Sequence, residues 1–127
     1  MKNKSLIQLA GLLGALAVGI GAFGAHGLQP LLESHGRIDT FETGVKYHFY
    51  HALAMLAVGI WSGFQPDRKW LKPALWSFLV GIIIFSGSLY ILSLTGISWL
   101  GAITPLGGVA FILGWFFIIL AANIDKA

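Results

Sequence analysis

The residue types with the most chemical potential are concentrated in one stretch of sixteen residues, 41–56, with the sequence FETGVKYHFYHALAML. It contains a glutamate, a lysine, two histidines and two tyrosines, and it runs directly into apolar sequence. Histidine can relay protons near neutral pH and is a common ligand of transition metals. Because polar groups are costly inside a bilayer, ionisable residues at such a place are candidates for a functional site.

A helical projection of this stretch separates a rim from an inward face. Glu42 and Lys46 are four residues apart, a spacing that favours an ion pair at the wet rim of the helix. Tyr47, His48 and His51 fall on the side opposite the large apolar residues, which suit lipid. We therefore expect these three polar side chains to face the other helices.

The elements that must position these residues are membrane helices. Apolar residues make up 57% of the 127-residue chain and charged residues only 10%, well below the roughly one quarter that is typical of a soluble domain. The chain has no cysteine, which excludes disulfides and thiolate metal sites. It shows neither a basic and aromatic patch nor a cofactor motif, so neither a nucleic-acid partner nor a cofactor is predicted.

The predicted fold class is all-α: a bundle of four transmembrane helices that forms a single domain, residues 1–127. About twenty helical residues are roughly 30 Å long, which is the thickness of the hydrocarbon layer. The predicted spans are 6–25, 45–64, 73–94 and 104–122, and residues 26–44 form an outer loop.

The outer loop has local signals of its own. Pro30 predicts a short interfacial helix that Gly36 ends. Asp39 and Glu42 have the spacing of a capping box, which predicts that the next helix begins one residue after Asp39. His35 lies beside the glycine, and we expect its side chain to be solvated.

Glycines recur at helical spacing on the faces of the spans. Small residues let helix backbones approach closely in a membrane, where packing rather than the hydrophobic effect drives association. The glycines that we expect to serve in this way are Gly14, Gly21, Gly24, Gly81, Gly107 and Gly114.

The distribution of basic residues predicts the orientation of the bundle. Basic residues are enriched in cytoplasmic loops. Arg37 and Lys46 lie on one side of the predicted membrane, and six basic residues lie on the other: Lys2, Lys4, Arg68, Lys69, Lys72 and Lys126. Both termini are therefore predicted to be cytoplasmic.

This orientation brings polar residues from all four spans to the outer end of the bundle: His26, Tyr47, His48, His51, Tyr90 and Thr104. Three functional interpretations stay open, namely a proton relay, a transition-metal site and a pocket for the polar head of a lipid-soluble ligand. The metal site would use His26, His48 and His51. The fourth interpretation, which we favour, is that neutral side chains form hydrogen bonds between the helices and fix their packing.

Four segments together resemble one known family of small membrane proteins. The segments are GAFGAHGL at 21–28, YHFYHALAML at 47–56, SGSLYILSLTG at 86–96 and LGAITPLGG at 100–108. The family consists of four-span proteins of unknown function, bacterial for the most part, and includes the eukaryotic transmembrane protein 256 homologues. The resemblance implies a multi-pass protein of the bacterial cytoplasmic membrane, with the lipid bilayer as its partner, and it implies no reaction.

Two hypotheses for function follow. The first is a non-enzymatic membrane protein that works through assembly, as a homo-oligomer or as an accessory component of a larger membrane complex. The second is a small carrier or channel subunit for protons, metal ions or a solute, which uses the outer histidine cluster. An enzyme is not expected, because no set of nucleophile, base and orienting group is visible.

Overall fold

The computed structural model describes residues 2–123, and this part of the chain is helical without a β-strand. Its α-helices are α1 (Asn3–Ala25), α2 (Gln29–Ser34), α3 (Ile38–Phe64), α4 (Leu71–Gly81), α5 (Gly87–Thr95) and α6 (Thr104–Asn123). A π-helical turn, Ile82–Ser86, joins α4 to α5, and a 3-10 helix, Ser98–Ala102, precedes α6. The prediction of an all-α fold is confirmed for these residues.

Three helical segments are long and apolar enough to cross a membrane: Asn3–Ala25, Leu71–Thr95 and Ser98–Asn123. Many of their large apolar side chains face outward, as lipid-facing residues do. The most exposed of these include Val18, Phe23, Ile83, Leu106 and Ile112. Helix α3 is long as well, but acidic residues, a lysine, histidines and tyrosines occupy its first half, so it is not among the three.

Helix α3 lies at the centre of the bundle. Helix α1 packs along one side of α3, and the continuous α4–α5 segment packs along another. Helix α6 packs mainly against α4 and the π-helical turn. Large apolar side chains from these helices are almost fully buried where the helices meet: Leu6, Met55, Val58, Leu75, Phe78, Ile82 and Phe111.

Helices α4 and α6 dock by each placing a phenylalanine ring against a glycine of the other helix. Gly81 of α4 receives the ring of Phe111, and Gly114 of α6 receives the ring of Phe78. A methyl group added at Gly114 would lie 2.5 Å from the Phe78 ring, well inside van der Waals contact. Each helix thus carries a phenylalanine three residues before a glycine, and each ring fills the gap that the other helix leaves.

Two other glycines allow close approaches at the end of the bundle where α1 ends and α6 begins. The backbone of Phe85 lies directly against Gly107, and the ring of Phe41 lies against Gly24, so neither glycine has room for a side chain. At the looser positions Gly21 and Gly14, an added methyl group would lie 3.1 Å from Val45 and 3.9 Å from Phe49. Of the six glycines singled out in the sequence, Gly14 is the one that packing does not require.

The outer loop forms a short cover held by buried apolar residues. Helix α2 contains Pro30 in its first turn, and Gly36 follows it with φ +63°. Helix α3 begins at Ile38, so Asp39 lies within the first turn and the predicted capping box is not formed. Helix α3 thus begins earlier than predicted. Phe41 lies within the helix, and its ring is buried between α1 and α5.

Candidate functional site

His51, in the middle of α3, has both ring nitrogens occupied. Its Nδ1 lies 2.7 Å from the carbonyl oxygen of Tyr47, and its Nε2 lies 3.1 Å from the indole Nε1 of Trp115 on α6. A carbonyl oxygen only accepts a hydrogen bond and an indole N–H only donates one. His51 is therefore the neutral tautomer with its proton on Nδ1, donating to Tyr47 and accepting from Trp115.

Aromatic rings surround the His51 imidazole. The ring of Phe111 stacks on it, with the centroids 3.6 Å apart and the planes at 10°. The rings of Phe78 and Trp115 lie at 5.5 and 5.8 Å. His51 is 4% exposed, so its ring forms part of the packed junction of α3, α4 and α6.

His48, one turn earlier, connects α3 to α5. Its Nδ1 lies 2.8 Å from the hydroxyl oxygen of Tyr90, and the Tyr90 ring also packs 5.4 Å from that of Phe41. Gly44 makes room for this contact, because a methyl group there would lie 3.0 Å from the Tyr90 ring. The Nε2 atom of His48 is buried without a hydrogen-bond partner among residues 2–123.

The π-helical turn supplies a further polar contact between α3 and the third span. The hydroxyl group of Ser86 donates to the carbonyl oxygen of Gly44 at 2.7 Å, and this bond is fully buried. A π-helical turn places one extra residue in a helical turn, and such turns are frequent at functional sites. Here the turn directs the Ser86 hydroxyl onto α3 and presses the Phe85 backbone against α6.

Of the other predicted members of the polar cluster, Tyr47 lies beside His51, with the ring centroids 6.1 Å apart, whereas His26 and Thr104 lie elsewhere. His26 is exposed at the C-terminal end of α1. Thr104 pairs with Ser88, their hydroxyl oxygens 2.6 Å apart, and thereby ties the start of α6 to α5. Tyr47 is 40% exposed, and its ring packs 4.8 Å from that of Phe85. The predicted cluster thus divides into a Tyr47–His51 contact within α3, a His48–Tyr90 contact and a Thr104–Ser88 contact, and His26 takes part in none of them.

The metal site suggested for His26, His48 and His51 is not formed. Residues 2–123 contain no group of three or more histidine, aspartate or glutamate side chains placed to hold a metal ion. His26 is exposed, and both nitrogens of His51 are engaged in hydrogen bonds. A histidine needs a free ring nitrogen to ligate a metal, so His51 cannot serve without breaking its contacts.

The predicted ion pair at the rim is not formed either. Glu42 and Lys46 are both exposed, and they line the same cleft of about 390 Å³ between α1, α2 and α3. No ion pair joins the two side chains within the described residues. Exposed pairs on a helix stabilise it by only a fraction of a kcal/mol, so water competes successfully for both charges.

His35 has a contact that the sequence did not predict. Its Nδ1 lies 3.0 Å from the carbonyl oxygen of Ser93, so this nitrogen carries a proton and donates it to α5. The side chain is half-buried beside Gly96, which ends α5 with φ +76°. The expectation of a solvated His35 is therefore wrong, because the loop folds back over the end of α5.

Two polar residues hold together the opposite end of the bundle, where the described chain begins and ends. The amide of Asn3 donates to the carbonyl oxygen of Gly59 on α3. The guanidinium of Arg68 donates from Nη1 to the carbonyl oxygen of Ala121 at 2.6 Å and from Nε to Gln65. The start of α1, the α3–α4 loop and the end of α6 therefore lie together.

Some of the missed contacts carry a sequence signal. Phe78 precedes Gly81 by three residues, and Phe111 precedes Gly114 by the same distance, so an F-x-x-G pattern, which also occurs at 41–44, is present on both docking faces. Trp115 follows Phe111 by four residues and so lies on the same face of α6. The contacts of His35 and Asn3 depend on how the chain ends fold back and carry no such pattern.

Comparison with known proteins places this site in a family context. Residues 20–108 match a family described as "Protein of unknown function (DUF423)". The chain is 49% identical over 119 residues to the UPF0382 membrane protein YwdK of Bacillus subtilis, covering 94% of this chain and 96% of that one. It is 42% identical over 115 residues to a UPF0382 membrane protein of Haemophilus influenzae, covering 91% and 90%. No solved structure matches the chain.

Proposed function

We propose a role for this chain from the premise that it belongs to the DUF423 family of proteins of unknown function. The relatives of this chain are named membrane proteins. The role is that of a non-enzymatic, four-span protein of the bacterial cytoplasmic membrane that works through assembly with itself or with a larger complex. The single observation that carries the proposal is that both ring nitrogens of His51 form hydrogen bonds within the packed junction of the helices.

The fourth span of this proposal is α3. Its 27 residues are about 40 Å long, and it lies between α1 and the α4–α5 segment, both of which are apolar enough to span. The Asn3 and Arg68 contacts place the two ends of the described chain at one end of the bundle. A chain that crosses the membrane an even number of times also has both of its ends on the same side. We name this end the inner end, following the excess of lysine and arginine there.

The chemistry of His51 supports assembly over carriage. A proton relay or a metal carrier needs a histidine nitrogen that can exchange its partner. His51 donates to a backbone carbonyl and accepts from an indole, and neither of these groups changes its protonation state. The result is a fixed bond between α3 and α6 rather than an exchangeable site.

The purified protein in liposomes tests this choice. We expect neither proton nor Zn²⁺ flux above that of protein-free liposomes, for the wild type and for His51→Gln alike. Cross-linking in native membranes should capture the wild type in a defined oligomer or complex. His51→Ala removes the contact between α3 and α6, and we expect it to reduce this captured fraction.

The opposite result is equally clear. A flux that the wild type supports and that His51→Gln abolishes, while the cross-linked species is retained, would contradict the proposal. It would favour the carrier hypothesis instead.

A further inference from the structure

A cleft of about 610 Å³ opens at the inner end of the bundle, where α1 begins, α3 ends and α4 begins. One wall consists of core residues that are almost fully buried, among them Leu6, Val58 and Leu71. The charged residues that line the cleft are Lys2, Arg68, Lys69, Lys72 and a single acid, Asp67. The cleft therefore combines an apolar wall with a strongly basic edge.

The three lysines of this edge are available to a ligand. Lys2, Lys69 and Lys72 are exposed, and no ion pair joins any of them to another residue of the described part of the chain. The contact that the structure gives Lys69 is with an aromatic ring, since its Nζ lies 5.8 Å from the Trp70 ring centroid. Three exposed lysines against one carboxylate, Asp67, leave the cleft with an excess of positive charge.

Arg68 has a different part in this cleft. Its guanidinium bonds to Gln65 and to the end of α6, and it lies 5.6 Å from the Trp61 ring centroid. These contacts fix the loop between α3 and α4 in place. Helix α4 begins at the cleft, directly after this loop. The residue before the helix, Trp70, forms no side-chain hydrogen bond that caps it. The positive end of the α4 dipole adds to the field of the lysines.

We propose that this cleft binds the headgroup of an anionic phospholipid, with the phosphate among the lysines and an acyl chain along the apolar wall. A zwitterionic lipid would bring a cation into a cleft that already holds an excess of positive charge. A free phosphate would leave the apolar wall in contact with water. The position of this lipid in the cytoplasmic leaflet rests on the proposed topology, whereas the binding itself does not.

Intact-mass measurement of the full-length protein released from detergent tests the proposal. Phosphatidylglycerol and phosphatidylcholine with the same acyl chains are added separately, and the retained lipids are counted. We expect the protein to retain phosphatidylglycerol in preference. The double variant Lys69→Gln, Lys72→Gln should bind it about thirtyfold more weakly, since each lysine near a membrane surface contributes about a fivefold factor.

The chain offers a matched control in Lys4→Gln, Lys46→Gln, which removes the same two charges. Lys4 and Lys46 are exposed but do not line this cleft, so this variant should bind phosphatidylglycerol like the wild type. Equal retention of both lipids, or equal weakening in the two double variants, would overturn the proposal. If the cleft variant melts at a lower temperature, Lys72→Gln alone replaces it, with an expected loss of about fivefold.

A third arm distinguishes a lipid headgroup from free phosphate. Inorganic phosphate and phosphatidylglycerol are compared by the rise in melting temperature that each causes in detergent. The lipid should stabilise the wild type and not the cleft variant, while phosphate at equal concentration should have little effect. Stabilisation by phosphate without a preference for the anionic lipid would overturn the lipid assignment.

Discussion

The partners of a buried histidine decide its role, and His51 is an example. By type and position it is a candidate for proton transfer and for metal binding. Its two nitrogens are nevertheless engaged by the Tyr47 carbonyl and the Trp115 indole, and its ring stacks on Phe111. Through these contacts the histidine connects α3 to α6. Imidazole suits this role because it offers one donor and one acceptor on a flat ring.

The first prediction concerns the stability that this connector supplies. His51→Ala should lower the free energy of unfolding by about 2–4 kcal/mol, because it removes two hydrogen bonds and leaves a cavity beside Phe111. His51→Gln, which keeps a donor and an acceptor, should cost about 1 kcal/mol. Unfolding in mixed micelles with increasing denaturing detergent measures both values.

A partner variant serves as the control for this prediction. Trp115→Phe keeps a ring on α6 but removes the donor to the His51 Nε2 atom, and it should cost about 1 kcal/mol. If His51→Ala unfolds within about 0.5 kcal/mol of the wild type, the range of substitutions that touch no special feature, the connecting role of His51 is wrong.

The second prediction concerns Gly107, which has no room for a side chain. A methyl group there would meet the backbone of Phe85, which cannot turn aside as a side chain can. Gly107→Ala should therefore destabilise the protein by about 1–3 kcal/mol or prevent the docking of α6. Thermal unfolding in detergent, combined with near-ultraviolet circular dichroism, measures the loss.

Gly19 provides the matched control, because an added methyl group there meets nothing within 4 Å. Gly19→Ala should be neutral or slightly stabilising, since alanine favours a helix by up to about 1 kcal/mol over glycine. Similar losses at both positions would contradict the close approach of α6 to the π-helical turn.

At the scale of elements, His35 connects the outer loop to the bundle. The bond from its Nδ1 to the Ser93 carbonyl fastens the loop after α2 to α5, while the buried Leu32 packs beneath the cover. Because α2 has only six residues, it depends on such contacts, since isolated helices of this length do not form in water.

The third prediction is that His35→Ala releases this cover. Loss of the bond should raise amide hydrogen exchange in residues 29–36 about fivefold, which corresponds to roughly 1 kcal/mol of local stability. Exchange in α4 should be unaffected. Hydrogen exchange read by mass spectrometry measures both segments.

His26→Ala is the control within the same outer segment, since this histidine is exposed at the end of α1. It should leave exchange in residues 29–36 as in the wild type. If both variants accelerate exchange equally, the His35–Ser93 bond is not what holds the cover.

The sequence predicts much of α3 and little of its surroundings. The helical projection predicts an inward face, and Gly44, His48, His51, Met55 and Val58 are buried there. Tyr47 lies at the edge of that face and stays 40% exposed. The periodicity of side chains decides which face is apolar, but which partner meets each side chain depends on the other helices.

The π-helical turn shows this limit most clearly. An α-helical projection assumes one period throughout, and residues 82–86 depart from it. Side chains after the turn are therefore rotated relative to those of an uninterrupted α-helix. In the structure Ser86 bonds to α3, and Ser88, two residues later, bonds to Thr104 at the start of α6.

At the scale of the whole molecule, apolar composition predicts a membrane protein, and the relatives of this chain are named accordingly. Three of the four predicted spans meet the requirements of length and apolar character. Two of the polar residues that lower the apolar character of α3, His48 and His51, bond to α5 and α6. The helix can carry these two histidines because they lie on its buried face, in contact with protein rather than lipid.

The fourth prediction is that both termini are cytoplasmic. A periplasmically active phosphatase should be inactive when fused to the C-terminus and active when inserted in the outer loop beside Gly36. Of the six basic residues that predict this orientation, Lys126 lies outside the described residues. Strong activity of the C-terminal fusion, with an inactive loop insertion, would show the reverse orientation.

The most direct test is ¹⁵N magnetic resonance of the His51 imidazole in lipid, because each of its nitrogens has a fixed partner in the structure. We predict a protonated Nδ1 and a hydrogen-bonded, unprotonated Nε2 that stay unchanged from about pH 5 to 8, the range in which an unperturbed histidine titrates. The spectrum should also be unchanged by Zn²⁺. Protonation of Nε2 within this range, or a shift of its resonance on addition of Zn²⁺, would contradict the fixed, structural role of His51.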